Sequence, residues 1–133
     1  MKNLLLLLVE DDLDDIELLQ SAFKDDHVQY EMDIVMQGDV VLPHLNQAER
    51  LPDVIILDLN LPRLHGKEVL QLLKASASFH NIPVVILTTS SSAREQDICQ
   101  QMGAELFLTK PSTVEGFKAV IRSILHISNQ ARS

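Results

Sequence analysis

Val54-Ile55-Ile56-Leu57-Asp58-Leu59-Asn60-Leu61-Pro62 runs four aliphatic residues straight into an acid and then into a loop. An unbroken apolar run of that length reads as a strand covered on both faces, the pattern of a parallel sheet. Leu4–Val9, 84–87 and 104–108 have the same character. The run over 28–36 differs, because Val28, Tyr30, Met32 and Ile34 alternate with Gln29, Glu31 and Asp33. That period of two predicts a half-exposed edge strand.

Helical patterns fill the intervals. Ile16, Leu19, Ala22 and Phe23 share one face of a first helix, entered through a cluster of Asp residues that suits a helix N-terminus. Asp39 is expected to cap a second helix, with Pro43 tolerated in its first turn. Val69, Leu70 and Leu73 line a third helix that starts after Gly66, and a fourth spans 92–102 with Gly103 to end it. The last opens on Ser112-Thr113-Val114-Glu115, a capping-box pattern, and continues with Phe117, Ile121, Ile124 and Leu125 on one face.

Five strand–helix alternations predict an α/β fold. Right-handed crossovers and an edge position for the second strand select a doubly wound, five-stranded parallel sheet of order 2-1-3-4-5, the flavodoxin-like (βα)5 arrangement. Strands one and three then meet at the topological switch point, and ligands of such sheets bind beyond the carboxyl ends of the strands.

Composition sets bounds on what binds there. The 133 residues are 46% hydrophobic, 23% charged and 4% aromatic, an aliphatic globular composition expected to make one domain over residues 1–133. Nineteen acids against eleven bases leave a net charge of −8 with no basic run, which argues against nucleic acid as a partner. Cys99 is the single cysteine, so neither an internal disulfide nor a cysteine zinc site is expected. The apolar opening Leu4–Val9 meets Glu10, Asp11 and Asp12 without a cleavage site and is too short to span a bilayer. A soluble, cytoplasmic protein without membrane association is expected.

The residues at the carboxyl ends of the runs are Glu10 and Asp11, Asp58, Thr88 and Lys110. Singly, each has an ordinary explanation: a capping acid, a strand threonine, a solvated lysine. Jointly, the fold would bring them to one end of the sheet. Three carboxylates at one place repel and need a proton or a cation between them. Hard oxygen donors suit Mg²⁺, which binds through one or two carboxylates plus a phosphate. Asp58 can then act as a nucleophile that forms an aspartyl-phosphate, with Lys110 a point charge for phosphate oxygens and the Thr88 hydroxyl a donor.

At these positions the chain resembles a response-regulator receiver domain. Val9-Glu10-Asp11-Asp12 resembles the acidic pair after the first strand, and Asp58-Leu59-Asn60-Leu61-Pro62 with Gly66 is similar to the phosphoacceptor loop. Pro83-Val84-Val85-Ile86-Leu87-Thr88 resembles the fourth strand with its switch threonine, and Leu108-Thr109-Lys110-Pro111 the fifth-strand end. The separations 58 − 11 = 47, 88 − 58 = 30 and 110 − 88 = 22 fit the family.

The resemblance implies that Asp58 takes a phosphoryl group from a sensor histidine kinase or a histidine phosphotransfer protein, in a Mg²⁺-dependent reaction. It implies that Asp11 ligates the metal directly, Glu10 mostly through water, Asp58 as the acceptor, and Asn60 through its backbone carbonyl. Thr88 and Lys110 would hold the phosphoryl oxygens. Phe107 takes the place of the aromatic switch, on a face of the fourth helix, fifth strand and fifth helix that would engage a downstream protein target. Lys110–Pro111 would be a cis peptide. Thr89 stands where many receivers carry Ala or Gly, which implies a narrower approach to the phosphate.

Thr88-Thr89-Ser90 is similar to stand-alone regulators, including those partnered with bacterial phytochromes. Several of those end in an aromatic-bearing tail, whereas this chain ends Ser128-Asn129-Gln130-Ala131-Arg132-Ser133, so a homodimer is left open. Such a domain is a phosphoacceptor rather than an enzyme. The alternative is a small Mg²⁺-dependent phosphohydrolase using the same Asp58, against which the chain offers no segment to cap a substrate; a receiver-like module that takes no phosphate is the other. His27, His44, His65, His80 and His126 show no metal-ligand spacing and are expected at the surface.

Overall fold

The unbroken apolar runs form the interior of a five-stranded sheet. The structure, a computed structural model, describes residues 3–89 and 92–132, so Ser90 and Ser133, quoted above, lie outside the described residues. In chain order the elements are β1 (Leu4–Val9), α1 (Leu13–Asp25), β2 (Tyr30–Val35), a 3₁₀ turn (Gly38–Val40) leading into α2 (Val41–Gln47), β3 (Val54–Leu57), α3 (Gly66–Ala75), β4 (Val84–Thr88), α4 (Ala93–Gln101), β5 (Leu106–Thr109) and α5 (Val114–Arg132). The strands lie in the order β2-β1-β3-β4-β5 and all pair in parallel, as expected for the doubly wound fold.

Alternation along each strand sends side chains to two cores. Leu7 and Val9 of β1 join Ile55, Leu57, Val84 and Ile86 beneath α2, α3 and α4, where Val41, Leu45, Val69, Leu70, Leu73 and Cys99 meet them. Leu4, Leu6 and Leu8 join Val54, Ile56, Val85 and Leu87 on the other face, under Ile16, Leu19, Phe23, Phe117, Ile121 and Ile124 of α1 and α5. Both faces being covered is why β1, β3 and β4 are buried throughout. Cys99 is a buried thiol, its pKa pushed up chiefly by that burial. No helix among the described residues is long and apolar enough to cross a membrane.

The edges need finer reading. On β2, Tyr30 and Met32 pack under α1 while Glu31 and Asp33 face out, as the alternation predicts. Ile34 breaks the pattern at 38% exposed, and Val35 instead turns into the opposite core. The fifth run, written as continuously as an interior strand, is also an edge: Leu106, Phe107 and Leu108 are only half-buried, since no strand lies beyond β5.

Helix entries also differ in detail. Ser92 accepts from Glu95 N–H and Asp12 from Asp15 N–H, as polar caps should. At α5 the cap is Thr113, accepting from Gly116 N–H at 3.0 Å, one residue later than the capping-box pattern places it. Asp39 does not cap α2; it lies within the 3₁₀ turn, and Val40 precedes the helix without a side-chain cap. His65 rather than a hydroxyl or acid caps α3, its Nδ1 accepting from Lys67 N–H at 3.1 Å. Gly103 ends α4 at φ +107°, a conformation costly for a residue with a Cβ. The Lys110–Pro111 bond is trans, not the cis form the resemblance implied; even a tertiary amide favours trans by about 0.5–1 kcal/mol.

Candidate functional site

Strand register decides where the polar residues emerge. Val9 pairs with Leu57, and the ladder runs one residue further, with Asp58 N–H donating to Val9 O at 3.0 Å. Glu10 N–H likewise donates to Val35 O at 3.0 Å, and Lys110 N–H to Thr88 O at 2.7 Å. Glu10, Asp58 and Lys110 therefore start from backbone already fixed by a neighbouring strand.

Glu10 and Asp58 are 3% and 4% exposed, whereas Asp11 is exposed. Their carboxylate oxygens lie within 4.8 Å of one another. Glu10 Oε2 accepts from the N–H groups of Asp11 and Asp12 at 3.1 and 3.2 Å, so its second oxygen is left for other partners. That partner is Lys110, whose Nζ is 2.7 Å from Glu10 Oε1, 2.8 Å from Asp15 Oδ2 and 3.0 Å from Asp58 Oδ2. Burial, the largest influence on Glu10, raises its pKa, the Lys110 hydrogen bond opposes this and the Asp58 charge adds to it; the carboxyl is pushed up to about 7. Burial alone would lower Lys110, but its bonds to Asp15, Glu10 and Asp58 outweigh that and hold the ammonium above the ordinary lysine range. Lys110 is held as a cation, and burial makes Glu10 easier to protonate than an ordinary carboxyl group.

The loop after β3 is pinned around the Asp58 carboxyl group. Asn60 N–H donates to Asp58 Oδ1 at 3.3 Å, Gly66 N–H to Leu59 O at 2.8 Å and Leu64 N–H to Pro62 O at 2.8 Å. Arg63 between them adopts φ +74°. A Cβ on Gly66 would stand 2.2 Å from Asp58 O, and one on Gly38 would stand 2.1 Å from Leu64 O. The sequence places Gly66 after the Asp58 loop and at the start of a helix; the structure adds that its missing Cβ lets α3 approach the Asp58 backbone.

Thr88 is fully buried, and its Oγ1 has no hydrogen-bond partner among the described residues. Buried hydroxyls are nearly always satisfied, so an orphan at this place marks a position suited to an incoming acceptor. Its side chain shares the sheet face of Val84 and Ile86, the face against which Phe107 packs, and Phe107 pairs in register with Ile86. Thr89 beside it is exposed.

Glu10, Asp11, Asp58 and Lys110 thus form one cluster, with Asn60 in the loop beside it. Asp15 was missed. Its sequence position, one helical turn beyond Asp11, is indistinguishable from that of the acids that simply favour a helix start. Among the described residues, no group of three or more histidines, cysteines or acids that could hold a metal ion includes a histidine, and His44 lies 3.4 Å from Asp33 on the β2 edge.

Hard oxygens without sulfur or imidazole make a donor set that fits Mg²⁺ or a like cation. A buried carboxylate with a cation on one oxygen and a backbone N–H on the other is also placed to act as a nucleophile.

Comparison with known proteins agrees with this chemistry. The response regulator receiver domain family matches residues 6–122. The response regulator Rcp1 of Synechocystis sp. is 32% identical over 124 residues, which cover 90% of this chain and 84% of Rcp1. A crystal structure of the Mn(2+)-bound form of Rcp1 superposes with a TM-score of 0.81, at 31% identity over 90% of both chains. The phosphorylated cyanobacterial phytochrome response regulator RcpA superposes with a TM-score of 0.85, at 30% identity over 92% of this chain and 91% of RcpA.

Proposed function

The chain belongs to the response regulator receiver family of two-component signalling proteins, and from that premise we propose that Asp58 is its phosphoryl acceptor. The observation that carries the assignment is the convergence of Glu10, Asp11 and Lys110 on the buried Asp58 carboxylate.

Glu10, Asp11 and Asp58, with the Asn60 carbonyl, would hold Mg²⁺; the Mn(2+)-bound form of Rcp1 supports a divalent ion at such a site. When bound, the ion offsets the carboxylate charge and that of the incoming phosphoryl group. An Asp58 oxygen attacks phosphorus as the bond to the donor breaks. From phosphohistidine the P–N bond cleaves and its electron pair stays with the imidazole; from acetyl phosphate a P–O bond cleaves and acetate leaves. Lys110 then redirects an N–H hydrogen bond from the Asp58 carboxylate to a phosphoryl oxygen, and the orphan Thr88 hydroxyl gains a charge-assisted acceptor.

The unit is a single receiver domain over residues 1–133, acting in the cytoplasm as a phosphoacceptor. It takes its phosphoryl group from a sensor histidine kinase or a histidine phosphotransfer protein, as receivers do. It signals by moving Thr88 and letting Phe107 follow, so that the face built by α4, β5 and α5 selects a protein target. Intact mass after incubation with acetyl phosphate and Mg²⁺ tests the acceptor: one phosphoryl group is expected on the wild type and none on Asp58→Asn. Undiminished labelling of Asp58→Asn would move the acceptor elsewhere.

A further inference from the structure

We propose that Asp15 is a positioning residue: from the first turn of α1 it holds the Lys110 ammonium at the acceptor while Glu10 and Asp58 change partners. This role deepens the reading of Asp58 as acceptor and rests on it.

An ammonium has three N–H donors, and Lys110 has three carboxylates around it: Glu10 Oε1 at 2.7 Å, Asp15 Oδ2 at 2.8 Å and Asp58 Oδ2 at 3.0 Å. These three acceptors do not stay equivalent. Glu10 and Asp58 belong, with Asp11, to the group of oxygens close enough to share a cation, and Asp15 stands outside it. Phosphoryl attachment removes the Asp58 carboxylate charge, and a cation competes with Lys110 for Glu10. Asp15 alone keeps a free carboxylate for Lys110 at every stage. Without it, the ammonium is left with Glu10, for which a cation competes, and with an Asp58 side whose acceptor changes from carboxylate to phosphoryl oxygen.

The anchor is itself well held. Asp15 N–H donates to Asp12 Oδ1 at 3.1 Å, which fixes the first turn, and Ile16 and Leu19 beside it are buried in the core under α1. A site residue held by a rigid element places its partner more precisely than one on a loop. Lys110 is on a different element, at the end of β5, so the contact ties α1 to the β5 end across the mouth of the site.

Asp15→Asn and Asp15→Glu test this in the full chain by two readouts. In metal-free protein the Lys110 ammonium should give a slowly exchanging ¹⁵N signal in the wild type and in Asp15→Glu, and lose it in Asp15→Asn. Labelling by acetyl phosphate at saturating Mg²⁺ should be roughly tenfold slower in Asp15→Asn, the size expected for losing one charge-assisted bond, and within about threefold of wild type in Asp15→Glu. The direction is diagnostic, because removing a negative charge from the rim would by itself speed attack on an anionic donor. Recovery in Asp15→Glu separates positioning from a folding defect. A retained ammonium signal in Asp15→Asn, or a rate equal to or above wild type, overturns the proposal. A wild type that takes no phosphoryl group on Asp58 overturns the acceptor assignment itself, and the role of Asp15 with it.

Discussion

Lys110, at the end of β5, reaches past the end of β4 to place its Nζ 3.0 Å from Asp58 Oδ2, at the end of β3. The lysine side chain is only 7% exposed, so it is the internal counter-charge of a nearly buried acidic pair, Glu10 and Asp58. Removing it leaves two carboxylates facing each other. Lys110→Gln should therefore lower the stability of the metal-free protein by roughly 3 kcal/mol, the usual cost of breaking a buried charge pair. Mg²⁺ should restore part of the loss. Urea unfolding with and without Mg²⁺ measures both effects; a Lys110→Gln protein as stable as wild type without metal would mean the pair is effectively solvated.

Asp11 is the exposed member of the acidic cluster. Asp11→Asn should weaken Mg²⁺ binding at least tenfold, since a hard anionic ligand is lost, while leaving the fold's stability within about 0.5 kcal/mol. A Mg²⁺ titration decides it. Equal affinity in both proteins would reduce Asp11 to an ordinary acid at the start of α1.

The orphan Thr88 hydroxyl separates folding from signalling. A buried hydroxyl without a partner costs about 1–3 kcal/mol, so Thr88→Val, which keeps the shape, should stabilise the resting protein by ~1 kcal/mol in urea unfolding. Thr88→Ala should still accept phosphate on Asp58 but pass it on poorly. Shifting a two-state surface from mostly off to mostly on needs about 5.5 kcal/mol, and one hydrogen bond to a charged group supplies ~1.5–3 kcal/mol. Lys110 and the metal must provide the rest. Amide shifts along α4 and around Phe107, compared before and after phosphorylation, test the coupling; identical shifts in Thr88→Ala and wild type would refute it.

Glu10 makes the resting protein sensitive to pH. Its carboxyl is raised from 4.5 to about 7, so between those values the folded state binds the proton more tightly than the unfolded chain. Stability from this group is complete below about 4.5 and is lost as pH rises through about 7. The wild type should lose stability relative to Glu10→Gln as pH rises from about 4.5 to about 7 without metal. Paired urea titrations show it, and parallel curves for the two proteins would place Glu10 in a solvated environment.

Gly66→Ala tests the close approach of α3. Its Cβ would meet Asp58 O at 2.2 Å and Leu59 Cα at 2.6 Å, both backbone atoms, so the acceptor loop must shift. A loss of about 2 kcal/mol of stability and phosphorylation slowed at least tenfold are expected. Normal rates would show that the loop can move without harm.

The interior strands and the acidic site were legible because both follow from pattern. A strand covered on two faces must be apolar throughout, and the topological rule gathers strand-end residues without further information. Glu10, Asp11, Asp58, Thr88 and Lys110 emerge from the strand ends on that ground alone. What pattern leaves undetermined is choice among equivalents. Ser112 and Thr113 are both competent caps, and only backbone geometry selects Thr113. Asp12, Asp14 and Asp15 all suit a helix start, and only the reach of Lys110 from 95 residues away singles out Asp15. An edge strand whose visible faces are apolar, as in β5, looks like an interior strand until its neighbours are counted.

Gly38 and Gly66 press the β2–α2 turn and the start of α3 against the acceptor loop with no gap into which a methyl group would fit. Stiffness on that side gives the response a direction. If a phosphoryl group joins Asp58 as proposed, a wall packed this closely would absorb little of the strain, and displacement would be delivered across β4 towards β5, where Thr88 and Phe107 lie. For a molecule whose proposed message is one bond made or broken, that asymmetry would fix a single address for the message. Either glycine replaced by a larger residue would blur the address before it silenced the message.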